Sequence, residues 1–258
     1  MEEKPLPQRA ESSVVVNAAA PEVFRLLEDP HALMKWVTFL RQVQWAKGSG
    51  VGARDRCQLE IAGMKVWMGA QVHLYEKNSR IGRRSVEGMP MRSEVQLTPI
   101  EARTRVDWTI SYRPPMGPLG ALMNALVMGK SMREGMSKSL AQLKGLAESG
   151  YQPIPHVGVD ELRESIARGT PPVLVDVRDP EDFAGKQGGI PGSINIPMEQ
   201  FPSRIGELAK FREKEVVTVC YAGRMAGDAA ELLLEKGFPR AKVLLGGLSS
   251  WNATAGRG

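Results

Sequence analysis

The chain has 258 residues, of which 42% are hydrophobic and 24% charged, and its net charge is +5. This length exceeds the usual size of one domain, and no apolar run approaches the roughly 18 residues that a membrane span requires. Two widely separated cysteines, Cys57 and Cys220, and three histidines argue against a disulfide framework or a zinc site. We therefore expect two domains, no metal and a reducing compartment, for which the cytoplasm is the simplest choice.

The first half begins with a short charged segment, 1–12, which lacks the apolar region of a signal peptide and which we interpret as a disordered tail. A β-branched strand follows, and then a short helix whose first turn suits Pro21. Apolar and polar residues alternate in 57–61, 64–74 and 106–112, which predicts antiparallel strands with one buried face. A long helix, roughly from Leu119 to Glu148, is predicted by apolar residues that recur every three or four positions: Met128, Met132, Met136, Leu140, Leu143 and Ala147.

The second half follows a stretch with two prolines, 150–157, which we predict to be a linker. Continuous apolar segments, "VLVDVR" at 173–178, "VVTVC" at 216–220 and "AKVLLGG" at 241–247, are separated by helical stretches. Strands that alternate with helices predict a parallel sheet. The sequence therefore predicts an α+β domain at 13–149 and an α/β domain at 158–258. Lys and Arg exceed Asp and Glu by six in residues 1–150 and fall one short in 151–258, so the two halves also differ in charge.

The opening stretch "VVVNAAAPEVFRLLEDPHALMKW" and the long closing helix resemble those of the START-like superfamily, which includes polyketide cyclases. The resemblance implies a helix-grip fold, in which an antiparallel sheet wraps around the closing helix and encloses an apolar cavity. We therefore expect this domain to bind an apolar small molecule. A cyclase or dehydratase activity is not favoured, because it needs acid–base groups in the cavity and the inferred inward faces are nearly all Met, Val, Leu, Trp and Ile.

Cys220 lies between a predicted strand and a predicted helix, in the segment "VVTVCYAGRMAGDAA". The loop after it can curl so that backbone N–H groups point to the sulfur, and the positive end of the helix dipole adds to them. Both effects favour the thiolate and predict a lowered pKa, which activates the nucleophile. Gly223 permits the tight turn, and Arg224 can contribute a permanent cation. We predict Cys220 as the catalytic residue and the loop as the substrate-binding site, formed by Tyr221, Ala222, Gly223, Arg224 and Met225.

Four segments, "DVRDPEDF", "GGIPGSINIP", "CYAGRMA" and "VLLGGLSSW", occur in the order typical of the rhodanese family of sulfurtransferases, and the resemblance spans about 100 residues. It implies an α/β fold with a central parallel sheet. It also implies that Cys220 takes a sulfane sulfur from a donor such as thiosulfate and passes the resulting persulfide sulfur to cyanide, a thiol or a protein acceptor. No cofactor is implied beyond this covalent intermediate. Asp176 and Arg178 match the family's pattern, and we expect them to brace the loop region.

Two positions depart from the family's pattern and bear on the choice of sulfur donor. The usual loop is C-x-x-G-x-R, whereas here Met225 takes the place of the arginine and Arg224 lies one residue earlier. The usual histidine before Ile-Pro-Gly is Gly189. A cysteine phosphatase, which needs histidine before its cysteine and arginine six residues after it, is disfavoured because this chain has Val219 and Ala226 there.

The sequence therefore predicts a sulfurtransferase that works through a Cys220 persulfide and is fused to a domain that binds an apolar small molecule. The alternative is a protein that binds a lipid-, quinone- or polyketide-like ligand and whose rhodanese module is an inactive adaptor. The expected partners are a sulfur donor and a thiol or protein acceptor. Nucleic acid is not expected, because the basic segments lack the interleaved aromatic residues that stack on bases.

Overall fold

The computed structural model describes residues 6–114 and 118–255. The chain divides into two compact units, one made of 1–41 and 46–153 and the other of 42–45 and 154–258. The main boundary, between Pro153 and Ile154, lies inside the stretch 150–157 that the sequence predicts to be a linker. No helix in the described ranges is long and apolar enough to cross a membrane.

The first unit is built on a seven-stranded antiparallel sheet with the strand order β1-β7-β6-β5-β4-β3-β2. Its elements are β1 (Gln8–Val16), α1 (Ala20–Glu28), α2 (Pro30–Trp36), β2 (Leu40–Lys47), β3 (Arg54–Ile61), β4 (Met64–Glu76), β5 (Arg80–Glu87), β6 (Met91–Ile100), β7 (Arg103–Tyr112) and α3 (Pro118–Glu148).

The core of this unit forms where the apolar face of the sheet meets the long helix α3. In β7 the alternate residues Val106, Trp108 and Ile110 are buried. The helix buries the full set of residues that the periodicity selected: Met128, Met132, Met136, Leu140, Leu143 and Ala147. The predicted antiparallel sheet with a long closing helix is therefore confirmed.

The predicted disordered tail is wrong from Gln8 onward, because β1 begins there. The strand pairs with β7 from Gln8 opposite Tyr112 to Val16 opposite Thr104, so the ladder supports its backbone. Ala10 is buried, whereas the charged residues on either side of it point away from the core. A single small apolar residue among charged ones gives little strand signal in the sequence. Residues 1–5 of the predicted tail lie outside the described residues.

The second unit is built on a five-stranded parallel sheet with the strand order β10-β9-β11-β12-β8. All four residues of the third strand in this order, β11, are buried, as is typical of a strand covered on both faces. The predicted α/β domain with a parallel sheet is confirmed. Its elements are β8 (His156–Val157), α4 (Val159–Ala167), β9 (Val173–Asp176), α5 (Pro180–Ala184), β10 (Ile194–Asn195), α6 (Phe201–Arg204), a 3-10 helix (Ile205–Phe211), β11 (Val216–Val219), α7 (Arg224–Glu235), β12 (Ala241–Leu244) and α8 (Gly247–Ala255).

The last two residues of the predicted linker are a strand and not a connection. His156 and Val157 form β8, which pairs in parallel with β12, and Val157 is buried in the core of the unit. The Leu245 N–H donates to the Val157 carbonyl at 3.0 Å. A strand of two residues is too short to show a periodicity, so its sequence is indistinguishable from a linker.

Candidate active site

Cys220 lies just beyond the end of β11, at the carboxyl edge of the parallel sheet, and only 2% of its surface is exposed. Gly223 has a φ of +98°, a left-handed conformation that glycine adopts without strain and that turns the chain into α7. The turn directs two backbone N–H groups at the sulfur. The Gly223 N–H donates to Cys220 Sγ at 3.1 Å, and the Ala226 N–H donates to it at 3.4 Å.

Burial raises the pKa of the Cys220 thiol above its ordinary value. The backbone N–H groups of Ala226, Gly223, Ala222 and Met225 act in the opposite direction, because they stabilise the thiolate. Loss of water is the larger effect, so the prediction of a lowered pKa is wrong. The sequence shows a loop that can supply donors, but it does not show how completely the fold removes water from the sulfur.

The side chains of the loop differ in exposure from the sulfur. Tyr221 and Met225 are 48% and 42% exposed, and both are among the exposed large hydrophobic residues of the described chain. Arg224 is exposed at the first position of α7, whereas Ala222 is half-buried. The predicted binding residues therefore present one cation and two apolar side chains at the surface of a loop whose backbone holds the sulfur.

The first turn of α8 supports this loop through hydrogen bonds to its backbone. The Leu248 N–H donates to the Cys220 carbonyl, and the Ser249 N–H donates to the Tyr221 carbonyl, both at 2.9 Å. Gly247, with a φ of +56°, allows the close approach, since a Cβ there would lie 2.3 Å from the Cys220 carbonyl oxygen. Sequence reasoning misses this role of Gly247 and uses its segment, "VLLGGLSSW", only as part of the rhodanese pattern. The signal for that role is a Gly–Gly pair between a strand and a helix.

Asp176 and Arg178 form a buried ion pair at the end of β9, the strand next to β11. Arg178 Nη2 lies 2.7 Å from Asp176 Oδ2, and Arg178 Nε lies 3.0 Å from Oδ1. The guanidinium also donates to the carbonyl oxygens of Asp182 and Gly188, at 3.2 and 2.8 Å. The pair thus holds the segment after β9 close to the end of β9. This strand is the neighbour of β11, which Cys220 follows. The described hydrogen bonds of these two side chains are to each other and to the backbone, which is the geometry of a brace.

Gly189, which stands where the family usually has histidine, lies against the ring of Phe183. A Cβ at position 189 would lie 2.5 Å from Phe183 Cε2. Any larger residue at 189 therefore requires the phenylalanine ring to move. The Phe183 ring thus occupies the space that a side chain at position 189 would need.

A second polar cluster, with Cys57 buried and Asp55 and Arg83 half-buried, lies in the first unit on the inner face of its sheet. Asp55 is two residues before Cys57 in β3, and the two share a face. Arg83 of β5 lies 3.8 Å from the Asp55 carboxylate and donates to the Leu27 carbonyl at 2.9 Å. Burial raises the pKa of Asp55 and of Cys57 and lowers the pKa of Arg83.

This cluster corrects the expectation of a nearly all-apolar inner face. The alternation through Cys57, Leu59 and Ile61 is confirmed, since all three are buried, but it continues back to a charged residue, Asp55. Arg83, the partner of Asp55, could not be inferred from the spacing in β3. It belongs to β5, and only the folded sheet brings β5 close to the Asp55 carboxylate. The reason for disfavouring acid–base chemistry in this domain therefore no longer holds.

The folds and the cysteine loop define a helix-grip domain followed by a rhodanese-type domain. Two family models match the chain in agreement with this. Residues 7–148 match "Polyketide cyclase / dehydrase and lipid transport", and residues 158–254 match "Rhodanese-like domain". The chain belongs to the polyketide cyclase/dehydrase and lipid transport family and carries a rhodanese-like domain in its second part.

Two curated relatives and one solved structure illustrate these similarities. A sulfurtransferase of Allochromatium vinosum is 31% identical over 98 residues, which cover 38% of this chain and 88% of the relative. The thiosulfate sulfurtransferase GlpE of Pseudomonas syringae pv. syringae is 34% identical over 104 residues, which cover 40% of this chain and 90% of GlpE. The protein TTHA0849 of Thermus thermophilus is 21% identical, with a TM-score of 0.50 over 56% of this chain and 100% of that protein, and this likeness concerns the fold alone.

Proposed function

We propose that the protein is a sulfurtransferase that carries sulfane sulfur as a persulfide on Cys220. The observation that carries this proposal is the position of Cys220 Sγ, which accepts hydrogen bonds from the Gly223 and Ala226 N–H groups in a rhodanese-like domain. Relatives that are named sulfurtransferases and match over most of their own length support the same class of reaction.

The proposed reaction has two steps and needs no external oxidant. The Cys220 thiolate attacks the outer sulfur of a donor such as thiosulfate. The sulfur–sulfur bond of thiosulfate breaks, its electron pair leaves with sulfite, and a Cys220 persulfide forms. An acceptor such as cyanide then attacks the outer sulfur, thiocyanate leaves, and the thiolate returns. The backbone N–H groups of the loop stabilise negative charge at Sγ at the start and at the end of the cycle.

The raised pKa of the Cys220 thiol sets the pH range of this reaction. Because burial favours the protonated form, only a minor fraction of the protein carries the reactive thiolate near neutral pH. We therefore expect slow loading at pH 7 and faster loading at higher pH. The proposal includes a reducing compartment such as the cytoplasm, since loading begins from a free thiol.

For the first domain we propose a role in binding an apolar small molecule. Its family model, which names lipid transport, supports this role. The buried face of α3 is rich in methionine, a flexible side chain that adapts to irregular shapes, and Met128, Met132 and Met136 follow one another along it.

The alternative is a ligand-binding protein whose rhodanese-like domain is an inactive adaptor. Two observations favour it. Burial raises the pKa of the only thiol in the loop, and Met225 occupies the position of the family's usual arginine. An adaptor does not require a reactive thiolate. Neither the raised pKa of Cys220 nor the methionine at position 225 would therefore impair that role.

Intact-mass analysis together with a thiosulfate:cyanide assay separates the two functions. After incubation with thiosulfate or a cysteine persulfide donor, we expect the wild type and Cys57→Ala to gain the mass of one sulfur atom, and Cys220→Ser to gain none. Thiocyanate formation by Cys220→Ser should fall about 1,000-fold or more, as for loss of a nucleophile.

Circular dichroism of each variant shows whether it is folded. Sulfur uptake by Cys220→Ser, or no uptake by the wild type from either donor, contradicts the proposal. A bound apolar ligand in gently purified protein that takes up no sulfur supports the adaptor function.

A further inference from the structure

The charged pair of Asp55 and Arg83 lies on the inner face of the first sheet among apolar neighbours. Asp55 of β3 lies opposite Ala70 of β4, and Arg83 of β5 lies opposite Val72, two residues further along β4. Ala70 and Val72 are 7% and 5% exposed. Because β4 separates β3 from β5, the two charged side chains meet across about 10 Å of sheet, above the apolar inner face of β4.

Solvent reaches this pair although the residues around it are buried. The side chains of Arg83 and Asp55 are 21% and 17% exposed. On the same face of the same two strands, Ile81 and Cys57 are only 2% and 9% exposed. The inner face of the sheet is therefore open to solution at the position of the pair.

The described hydrogen bonds leave part of the pair unused. Arg83 Nη2 donates to the Leu27 carbonyl at 2.9 Å. Arg83 Nε is buried and has no hydrogen-bond acceptor in the described part of the chain, because Asp55 Oδ2 lies 3.8 Å away, beyond hydrogen-bond distance. The Asp55 carboxylate has about four acceptor positions and interacts with Arg83 and with the Cys57 thiol. Within the described chain, donors of the guanidinium and acceptors of the carboxylate thus remain available side by side.

We propose that Asp55 and Arg83 together bind the hydroxyl group of an otherwise apolar ligand, an alcohol or a phenol. This inference rests on the proposed role of the first domain in binding an apolar small molecule. A hydroxyl group is both a donor and an acceptor, so it can donate to the Asp55 carboxylate and accept from the Arg83 guanidinium at the same time.

The apolar part of the ligand extends from this pair along the inner face of β4. Met68 follows Ala70 on that face, and Val66, which is half-buried, comes next. The flexible side chain of methionine adapts to the shape of such a ligand. The same face of the sheet thus offers a polar anchor at one point and an adaptable apolar surface beside it.

The charges of the pair select against other polar groups. A carboxylate gains from Arg83 but is repelled by Asp55, and the charge of Glu28, which also acts on Arg83, adds to this repulsion. An ammonium group is attracted by Asp55 and repelled by Arg83. A carbonyl or ether oxygen accepts from Arg83 and leaves the Asp55 acceptors unused. Of these groups, the hydroxyl alone uses both side chains.

Equilibrium dialysis of the full chain at pH 7 against 2-naphthol and 2-methoxynaphthalene tests this proposal. The two probes share one ring system, but the methyl ether cannot donate a hydrogen bond. The ratio of the two affinities, naphthol over ether, should fall at least about tenfold in Asp55→Ala, as for loss of a hydrogen bond to a charged group. In Arg83→Met both affinities should fall at least about tenfold, because both probes accept from the guanidinium.

Arg84→Met is the matched control for the arginine. Arg84 follows Arg83 in β5 and is exposed on the opposite face of the sheet, so both affinities should stay within about twofold of the wild type. Circular dichroism shows whether each variant is folded. Binding of 2-methoxynaphthalene by Asp55→Ala shows in addition that the apolar surface is intact.

The outcomes separate this proposal from the ligand-binding role on which it rests. If the wild type binds neither probe, the role of the first domain in binding an apolar molecule is itself contradicted. If the wild type binds both and Asp55→Ala keeps the same ratio, only the hydroxyl anchor is overturned. Unchanged affinities in Arg83→Met also overturn the anchor, as does tighter binding of 2-naphthoate than of 2-naphthol, since Asp55 should repel a carboxylate.

Discussion

The two domains each bury a thiol, but at different places along a strand. Cys57 lies within β3 beside Asp55, and both burial and that carboxylate raise its pKa. Cys220 lies just past the end of β11, where the Gly223 and Ala226 N–H groups point to its sulfur. Within a strand the backbone N–H groups are used by the ladder, whereas beyond its end they are available to a side chain. Both thiols are buried, and the position relative to the strand end distinguishes the candidate nucleophile.

The two aspartate–arginine pairs of the domains differ in geometry and in burial. Arg178 Nη2 and Nε donate to the two carboxylate oxygens of Asp176 at 2.7 and 3.0 Å, and both side chains are almost fully buried. Arg83 and Asp55 are 3.8 Å apart and retain 21% and 17% exposure. The first pair is a closed brace, whereas the second is open to water or to another polar group.

The largest expected effect is on the stability of the closed pair. Arg178→Met leaves the Asp176 carboxylate buried without its cation and should lower the free energy of unfolding by about 3–5 kcal/mol. The matched change in the open pair, Arg83→Met, should cost about 1–2 kcal/mol. Urea denaturation followed by circular dichroism measures both. Equal losses of unfolding free energy in the two variants would show that the geometry of the pair does not determine its contribution to stability.

The second prediction concerns the support of the cysteine loop by α8. Gly247→Ala places a methyl group on the Cys220 carbonyl, so the loop must shift, and we expect sulfur transfer to fall about 10–100-fold. Gly206→Ala is the control, since a Cβ there meets no other group within 4 Å. The measurement is kcat/KM in the thiosulfate:cyanide assay. Full activity of Gly247→Ala would mean that the loop geometry does not matter for transfer.

The third prediction concerns the pH dependence of the strand-end thiol. Since the pKa of Cys220 is raised, its thiolate fraction and its rate of loading should rise about tenfold between pH 7 and pH 8 and continue to rise above pH 8. Intact-mass measurement of persulfide formation in the Cys57→Ala background reports on Cys220 alone. A rate that is already constant at pH 7 would show that the loop donors outweigh burial.

The smallest expected effect is that of the loop position where the family has arginine. Met225→Arg should raise kcat/KM for thiosulfate about two- to fivefold, because Met225 is exposed and an exposed ion pair contributes up to about 1 kcal/mol. A neutral persulfide donor serves as the control and should show no gain. A similar gain with both donors would assign the effect to packing instead of charge.

Much of both folds follows from local pattern. Alternation identified the buried face of β7, and a continuous apolar run identified β11. The loop donors around Cys220 could also be anticipated, because Gly223 permits the turn that directs them. The Asp55–Arg83 pair and the direction of the Cys220 pKa could not be predicted, because both depend on groups that the tertiary fold brings together. The domain limits 13–149 and 158–258 stay predictions.

The strand order of the second unit has a consequence for how substrates reach the sulfur. β9 and β11 are neighbours, yet the chain leaves β9 toward β10 on one side and leaves β11 toward β12 on the other. At such a switch point the two following loops diverge and leave a crevice at the carboxyl edge of the sheet. Cys220 follows one of these two strands. We therefore expect a longer loop after β11 to cover more of this crevice, and a shorter loop to leave it more open, while every strand keeps its place.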